Sequence, residues 1–140
     1  MTAAQGATAP GLYHLAPAAA WAAAVASGEH YFPATIGADG FIHLTAQPAL
    51  LVGVANHFYK GEPGDWVCLV IDAAKLGGEL RFEAAAPVGE TAAVEGEELF
   101  PHLYGAGICP AAVVAELRVR RGEGGEFLSI DDIRRRGGFR

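Results

Sequence analysis

The sequence predicts an α+β domain in which two early helices pack against a mostly antiparallel sheet. Helical and strand patterns alternate up to about residue 61, and strand patterns dominate from residue 66 onwards. Helices that are segregated from most of the strands are typical of this fold class. The length of 140 residues suits one domain, and folding should bury about two-thirds of the surface of the unfolded chain.

The chain begins with a predicted strand and helix. The segment "GLYHLA" predicts a strand that ends at Pro17, and proline is favoured at the first position of a helix. The first helix is therefore predicted over residues 17–27, with Trp21 and Val25 on one face and Gly28 at its end.

A second helix has the clearest pattern in the sequence. Before it, "HYFPATIGADG" predicts a loop or broken strand, and its Asp39-Gly40 pair is a turn signal leading into the strand "FIHLT". Thr45 is placed to cap the helix that follows, and Gly61 is placed to end it. Apolar residues recur in this helix at i, i+3, i+4 and i+7, namely Leu51, Val54, Ala55 and Phe58.

The second half predicts strands. "WVCLVID" is a continuous apolar run, so we expect an inner strand that carries a buried, unreactive Cys68. Alternation in "ELRFEA" and "VVAELRVRR" predicts two half-buried strands, with Phe82 facing inwards. Between them, "EGEELFPHLYGAGICP" is rich in turn formers, which places His102 on a loop or short turn near a sheet edge. The large residues expected in the core are Trp21, Phe41, Leu51, Phe58, Trp66, Phe82 and Phe100.

Charge and cysteine content exclude several classes of function. The net charge is −6, from 16 acidic and 10 basic residues, so we expect no general nucleic-acid binding, which needs clustered Lys and Arg. The longest apolar stretch is too short to span a bilayer, and the first residues lack the features of a signal peptide. Two cysteines without a secretory signal indicate reduced thiols. We therefore expect a cytoplasmic protein with no membrane contact.

Three regions are expected along the chain. Residues 1–10 form a flexible N-terminus, residues 11–121 form a single compact domain, and residues 122–140 form a C-terminal extension. The extension ends in a basic tail, for which a solvated terminus is favoured over a binding patch. The arginines of this tail are Arg134, Arg135, Arg136 and Arg140.

Three of the five histidines, His14, His43 and His102, are followed by leucine. His14 and His43 are each predicted on a strand just before a helix, where clefts commonly form. We therefore expect the three imidazoles to approach one concave surface, with His30 and His57 apart from it. A single buried histidine usually only ties down a backbone carbonyl, and that structural interpretation stands beside the functional one. The short ligand spacing of known zinc motifs is missing, so no metal site is predicted.

The order of these segments resembles a known family. A histidine strand, a tryptophan helix, "GFIHLT", a helix ending in "ANHFY", "LVIDAAKL" and "FPHLYG" are together similar to domain-of-unknown-function family 952 over residues 11 to about 120. The resemblance implies a fold similar to the ADP-ribosyltransferases, in which a split sheet forms a cleft for NAD.

The resemblance also implies roles for particular residues. His14 would bind a ribose hydroxyl, and His43 would pack beside the nicotinamide. Thr45 would add a hydroxyl bond to ribose or phosphate, and Tyr104 would line the cleft. The glutamate that these enzymes use against an oxocarbenium-like transition state has no clean counterpart, because "EELFPHLYG" stands in its place. Catalysis would then fall to His43 and His102, with Glu98 or its neighbour Glu97 as the candidate carboxylate.

Two functions from different classes follow. The first is an enzyme. It would be a cytosolic domain whose nucleotide-type cleft serves an NAD-dependent transfer of an ADP-ribosyl group, or the transfer of a phosphoryl or ribosyl group. The second is a non-catalytic module that binds a nucleotide-like ligand or a protein. An acid or base within hydrogen-bond reach of the ligand's reacting bond would distinguish them.

Overall fold

The structure, a computed structural model, describes residues 11–133 as two antiparallel sheets with three α-helices. Their bounds are β1 Gly11–Pro17, α1 Ala18–Ser27, α2 Ile36–Asp39, β2 Ile42–His43, α3 Leu51–Tyr59, β3 Trp66–Asp72, β4 Glu79–Ala84, β5 Leu99–Tyr104, β6 Val113–Arg121 and β7 Phe127–Ile130. Short 3-10 helices cover Pro48–Leu50, Ala73–Lys75 and Pro110–Ala112. The predicted α+β class with a mostly antiparallel sheet is confirmed. Within residues 11–133, no helix is both long and apolar enough to cross a membrane.

The two sheets meet at the middle of β1. The larger sheet has the order β1-β3-β6-β7, and the smaller has the order β2-β5-β4. Tyr13 in β1 exchanges two backbone hydrogen bonds with Thr45, at N–O distances of 2.8 and 2.9 Å. The residue between β2 and Thr45, Leu44, donates its N–H to the carbonyl of Pro101 in β5 at 2.9 Å. The segment that follows β2 therefore joins both sheets.

The core lies on both faces of β1 and β3. One cluster packs Leu12, Ala16 and Ile71 around Trp21 of α1. The other packs Leu15, Cys68 and Leu117 against α3 and β7; its aromatic members are Tyr13, Trp66 and Phe127. Burial on both faces is what the continuous apolar run "WVCLVID" predicts. The predicted inner position of this strand is confirmed, and Cys68 is fully buried.

Two helices and the alternation of one strand also match the sequence prediction. Helix α1 ends at Ser27, and Gly28 follows with φ of 78° in the left-handed region that favours glycine. Helix α3 buries Leu51 and Ala55 of the predicted stripe, with Val54 and Phe58 half-buried. In β6, apolar and charged residues alternate between half-buried or buried and exposed positions, as the sequence pattern requires.

Three helix-related predictions are wrong. Val25 is 48% exposed, because α1 contacts the core chiefly through Trp21. Thr45 does not cap α3: it pairs with Tyr13, and a 3-10 helix separates it from Leu51. The predicted loop "HYFPATIGADG" contains α2, which ends at the left-handed Gly40.

Three predictions about the strands and the chain boundary also need correction. Phe82 is 56% exposed because β4 is an edge strand. His102 lies on β5, the middle strand of the smaller sheet, and not on a loop. The sheet continues past the predicted boundary at residue 121, since β7 pairs with β6 and buries Phe127. The predicted flexible N-terminus and the arginines of the basic tail lie outside the described residues.

Arg121 at the end of β6 fastens α3 to the β6–β7 hairpin. Its guanidinium donates to the carbonyls of Glu62 and Gly64 at 2.7 and 2.8 Å. It also donates to the carbonyl of Gly125 at 2.6 Å and to that of Lys60, next to the helix end, at 3.2 Å. A cation with several donors therefore satisfies carbonyls that would otherwise lack partners where the helix ends.

We expect Arg121→Lys to lower the free energy of unfolding by about 2 to 3 kcal/mol, because one ammonium cannot reach these carbonyls together. Urea unfolding measures the change. Arg120→Lys is the matched control, since Arg120 is half-exposed and its ion pair within residues 11–133 is with Asp131 at 2.7 Å, an interaction worth less than about 1 kcal/mol. Equal losses in the two variants would contradict the role given to Arg121.

Candidate functional site

His14 lies in the middle of β1, where the two sheets meet, and is 4% exposed. Its Nδ1 lies 2.7 Å from the carbonyl oxygen of His43. A carbonyl can only accept a hydrogen bond, so Nδ1 carries the ring proton and Nε2 is left with a lone pair. Nε2 is buried and has no hydrogen-bond partner within the described chain. Burial lowers the pKa of His14 to about 4, which keeps the ring neutral at pH 7.

His43 on β2 is held by a buried carboxylate. Its Nε2 lies 3.1 Å from Oδ2 of Asp39, at the end of α2. The other oxygen of Asp39 accepts the backbone N–H of Gly89 at 3.0 Å. Burial lowers the pKa of His43, although the charge of Asp39 acts in the opposite direction. In the neutral ring, Nε2 therefore carries the proton that is donated to Asp39, and Nδ1 carries the lone pair.

His102 is the cross-strand partner of His43 in the smaller sheet. Its ring centroid lies 5.3 Å from that of His43, and Phe41 stacks on it at 4.3 Å. Nδ1 of His102 donates to Oε1 of Glu83 on β4 at 2.8 Å, and the hydroxyl of Tyr104 donates to the same oxygen at 2.6 Å. The hydrogen bond from Tyr104 lowers the pKa of Glu83 most, and the one from His102 lowers it further.

The three histidines line one pocket, which we name the three-histidine pocket. Its cavity volume is about 30 Å³, which is room for about one water molecule, and it opens towards solvent. Its walls are mostly apolar, and within the described residues no Lys or Arg lines it. The lining consists of Tyr13, His14, Leu15, His43, Leu44, Thr45, Val54, Phe58, Tyr59, Ala85, Ala86, Val88, Val94, Phe100 and His102.

An outer cleft adjoins this pocket and shares four of its residues, Val54, Ala85, Val94 and Phe100. Residues 85–98, which we name the strap, form one wall of both spaces. Side chains fasten the strap at three points. Asp39 accepts from Gly89, His57 donates from Nε2 to the carbonyl of Ala92 at 2.7 Å, and Gln47 donates to Glu98 at 3.2 Å.

The structure brings together most of the predicted site residues. His14, His43 and His102 share the pocket, and Thr45 lines it beside them. Glu98 does not reach it, because it lines the outer cleft and binds Gln47. Tyr104 lies on the same sheet face as His102 but outside the lining, where it binds Glu83. His30 is exposed and outside both spaces, whereas His57 lines the outer cleft.

Sequence reasoning missed the two carboxylates that orient the histidines. Asp39 was interpreted only as part of a turn, and Glu83 only as the outward residue of an alternating strand. The sequence did contain a signal for Glu83. Charged residues alternate along "ELRFEA" and therefore share one face of the strand, and β4 pairs with the strand that carries His102. Phe41, predicted in the core, instead stacks on the ring of His102 and lies tilted against that of His43.

The arrangement favours hydrogen bonding and proton transfer over metal binding. Within residues 11–133, no group of three or more His, Cys, Asp or Glu side chains is placed to hold a metal ion. Each imidazole donates one N–H to a protein acceptor, and this fixes its tautomer. A neutral imidazole that is buried in a largely apolar pocket accepts a hydrogen bond strongly, because little water competes.

The chain belongs to the family described as "Protein of unknown function (DUF952)", whose model matches residues 15–116. It is similar to the crystal structure of protein CC0527 from Caulobacter crescentus, with 29% identity and a TM-score of 0.66 over 84% of this chain and 93% of that one. The solution NMR structure of CC0527 gives 28% identity and a TM-score of 0.62 over 91% and 96% of the two chains. No curated protein matches the chain.

We expect His14 to make the fold sensitive to acid. The ring stays neutral in the folded state down to about pH 4, whereas in the unfolded chain it binds a proton below about pH 6.5. The free energy of unfolding should therefore fall as the pH drops from 6.5 towards 4, by at most about 3 kcal/mol from this group.

Urea unfolding at a series of pH values between 7 and 4 measures this dependence. In His14→Asn, the side-chain amide can still donate to the carbonyl of His43 but does not titrate, so the curve should flatten. Identical pH dependence in the variant and the parent would show that His14 is not the group responsible.

Proposed function

We propose that the three-histidine pocket binds a nucleotide-type small molecule and that NAD is the first such ligand to test. One observation carries the proposal: a buried lone pair, Nε2 of His14, faces no protein donor within the described chain. An unsatisfied buried acceptor costs about 1 to 3 kcal/mol, and sites that hydrogen-bond a ligand tolerate this cost because the ligand removes it.

The residues of the pocket suit the nucleoside part of such a ligand. Aromatic and aliphatic walls from Phe58, Phe100 and Val88 accept a flat ring. A ribose hydroxyl is a donor that Nε2 of His14 can accept, and Thr45 offers a hydroxyl at the same wall. The pyrophosphate of NAD finds no Lys or Arg among the described residues that line the pocket. The nucleoside end therefore enters the pocket, and the phosphates stay outside it.

Entry requires the strap to move. Nε2 of His14 is buried in the structure, so a ligand atom can reach it only when one wall of the pocket moves. The strap is an irregular segment between β4 and β5, and Asp39, His57 and Gln47 each hold it by a single hydrogen bond. Glu98 and His57 thus act in access to the pocket and not in its chemistry.

Binding is the function that the geometry supports best. Classical ADP-ribosyl transfer uses a carboxylate beside the reacting bond, and Glu98 lies outside the pocket. Asp39 already accepts from His43 and Gly89, and the Oε1 atom of Glu83 accepts from His102 and Tyr104. Neither carboxylate belongs to the pocket lining, and no acidic side chain among the described residues does.

A transfer reaction is the second candidate, and one observation favours it. His43 and His102 each hold a carboxylate on one nitrogen, with their rings 5.3 Å apart. A carboxylate orients an imidazole and stabilises the imidazolium that forms when the ring takes a proton. In this version His102 acts as general base towards a ligand hydroxyl, and Glu83 is its positioning residue.

We expect calorimetric titration with NAD to show binding that His14→Asn weakens by about 1 to 3 kcal/mol, since the shorter side chain places no acceptor at the position of Nε2. His43→Ala should weaken binding to a similar extent by removing part of the wall. His30→Asn is the matched control and should bind like the parent, because His30 is exposed and outside the pocket. Unchanged affinity in both pocket variants, with the variants folded, would overturn the proposal.

Turnover distinguishes the two candidates. If the parent protein consumes NAD, Glu98→Gln should leave kcat unchanged, because the amide oxygen still accepts from Gln47 and the strap keeps this anchor. Glu83→Gln should lower kcat and shift the pH profile with little change in KM. Chromatographic measurement of NAD and its products provides the readout. A loss of turnover in Glu98→Gln would show that the strap carries the catalytic carboxylate, and no consumption by the parent would support the binding module.

A further inference from the structure

We infer that the three-histidine pocket selects ligands by their hydrogen-bond donors and excludes anions, so that it binds a nucleoside without help from its phosphate. This inference rests on the proposed function and names the part of the nucleotide that the pocket recognises. It follows from the direction of the hydrogen bonds around the three imidazoles and from the charges next to them.

Two of the three rings present acceptors. Nδ1 of His14 donates to a carbonyl, Nε2 of His43 donates to Asp39, and Nδ1 of His102 donates to Glu83. Burial lowers the pKa of His14 and of His43, so at pH 7 both rings are neutral and have already used their one N–H on the protein. Nε2 of His14 and Nδ1 of His43 can therefore only accept.

The charged groups near the pocket also disfavour an anion. Asp39 and Glu83 place carboxylates directly behind two of the rings, and the Asp39 side chain is only 5% exposed. Arg81 is the cross-strand neighbour of His102, but its side chain is 49% exposed, bonds to Glu79 at 3.0 Å and lies over the ring of Tyr104. It does not line the pocket. A phosphate placed among the rings would meet lone pairs and carboxylates instead of the donors it needs.

An uncharged, donor-bearing group fits these surroundings. Ribose hydroxyls and the amino or carboxamide group of a base supply several donors on a compact frame, and the base adds a flat apolar surface for Phe58 and Phe100. At neutral pH the phosphate of a nucleotide is mostly a dianion that supplies only acceptors, and inorganic phosphate combines its P–OH groups with a full negative charge. The pocket therefore gains nothing from phosphate.

A single substitution should make the pocket less selective for hydrogen-bond donors. In Asp39→Asn, the side-chain oxygen can still accept from Gly89 while the amide nitrogen donates to Nε2 of His43. His43 must then carry its proton on Nδ1, which turns an acceptor of the pocket into a donor. Nitrogen NMR of the imidazole reports this change of tautomer directly, without any ligand.

Calorimetry of the full-length chain with adenosine, adenosine monophosphate and inorganic phosphate tests the inference. We expect adenosine and its monophosphate to bind with similar affinity, phosphate not to compete, and Asp39→Asn to shift the preference towards the monophosphate. A monophosphate that binds the parent at least about tenfold more tightly than adenosine, or competition by phosphate, would overturn the inference and leave the proposed function intact. Failure of adenosine, the monophosphate and NAD all to bind would overturn both.

Discussion

The hydrogen bond from Nδ1 of His14 to the carbonyl of His43 is the interaction on which the site depends. It crosses between the two sheets at the place where Tyr13 and Thr45 also join them. Because the acceptor is a carbonyl, the bond fixes the tautomer of His14 and leaves its Nε2 without a proton. Burial then keeps the ring neutral. One contact thus ties the architecture of the fold to the chemistry of the pocket.

The rest of the pocket repeats this arrangement with carboxylates. Asp39 holds His43 and, through Gly89, the strap; Glu83 holds His102 and Tyr104. The protein therefore uses acceptors to satisfy one N–H of each ring, and the cost of burying the unpaired Nε2 of His14 falls on the unliganded state. Each ring at the polar centre has its own protein acceptor, while side chains hold the strap by single hydrogen bonds. This combination suits a ligand that must be enclosed before it is recognised.

The sequence predicted those helices and strands whose pattern of buried residues can be recognised within the element itself. The apolar run of β3, the stripe of α3 and the end of α1 at Gly28 were all read correctly, because each signal lies within one element. The histidines were found through a repeated dipeptide. Residues whose roles depend on distant pairing were misjudged: His102 seemed part of a loop because of the neighbouring proline and glycine, and the role of Glu83 exists only through the register of β4 against β5. Glu98 was expected in the site but lines the outer cleft. The path of the strap depends on contacts with distant residues, which the sequence around Glu98 does not reveal.

The nitrogen resonances of the His14 ring provide the most direct test, because they report the protonation of Nε2 and its partner together. In the free protein at neutral pH, we expect an unprotonated Nε2 and a protonated Nδ1 in the His14 ring. Saturation with adenosine or NAD should move the Nε2 resonance towards that of a hydrogen-bonded acceptor, while Nδ1 keeps its partner. A proton on Nε2 in the free protein, or an Nε2 resonance that does not respond to a bound nucleoside, would contradict the account.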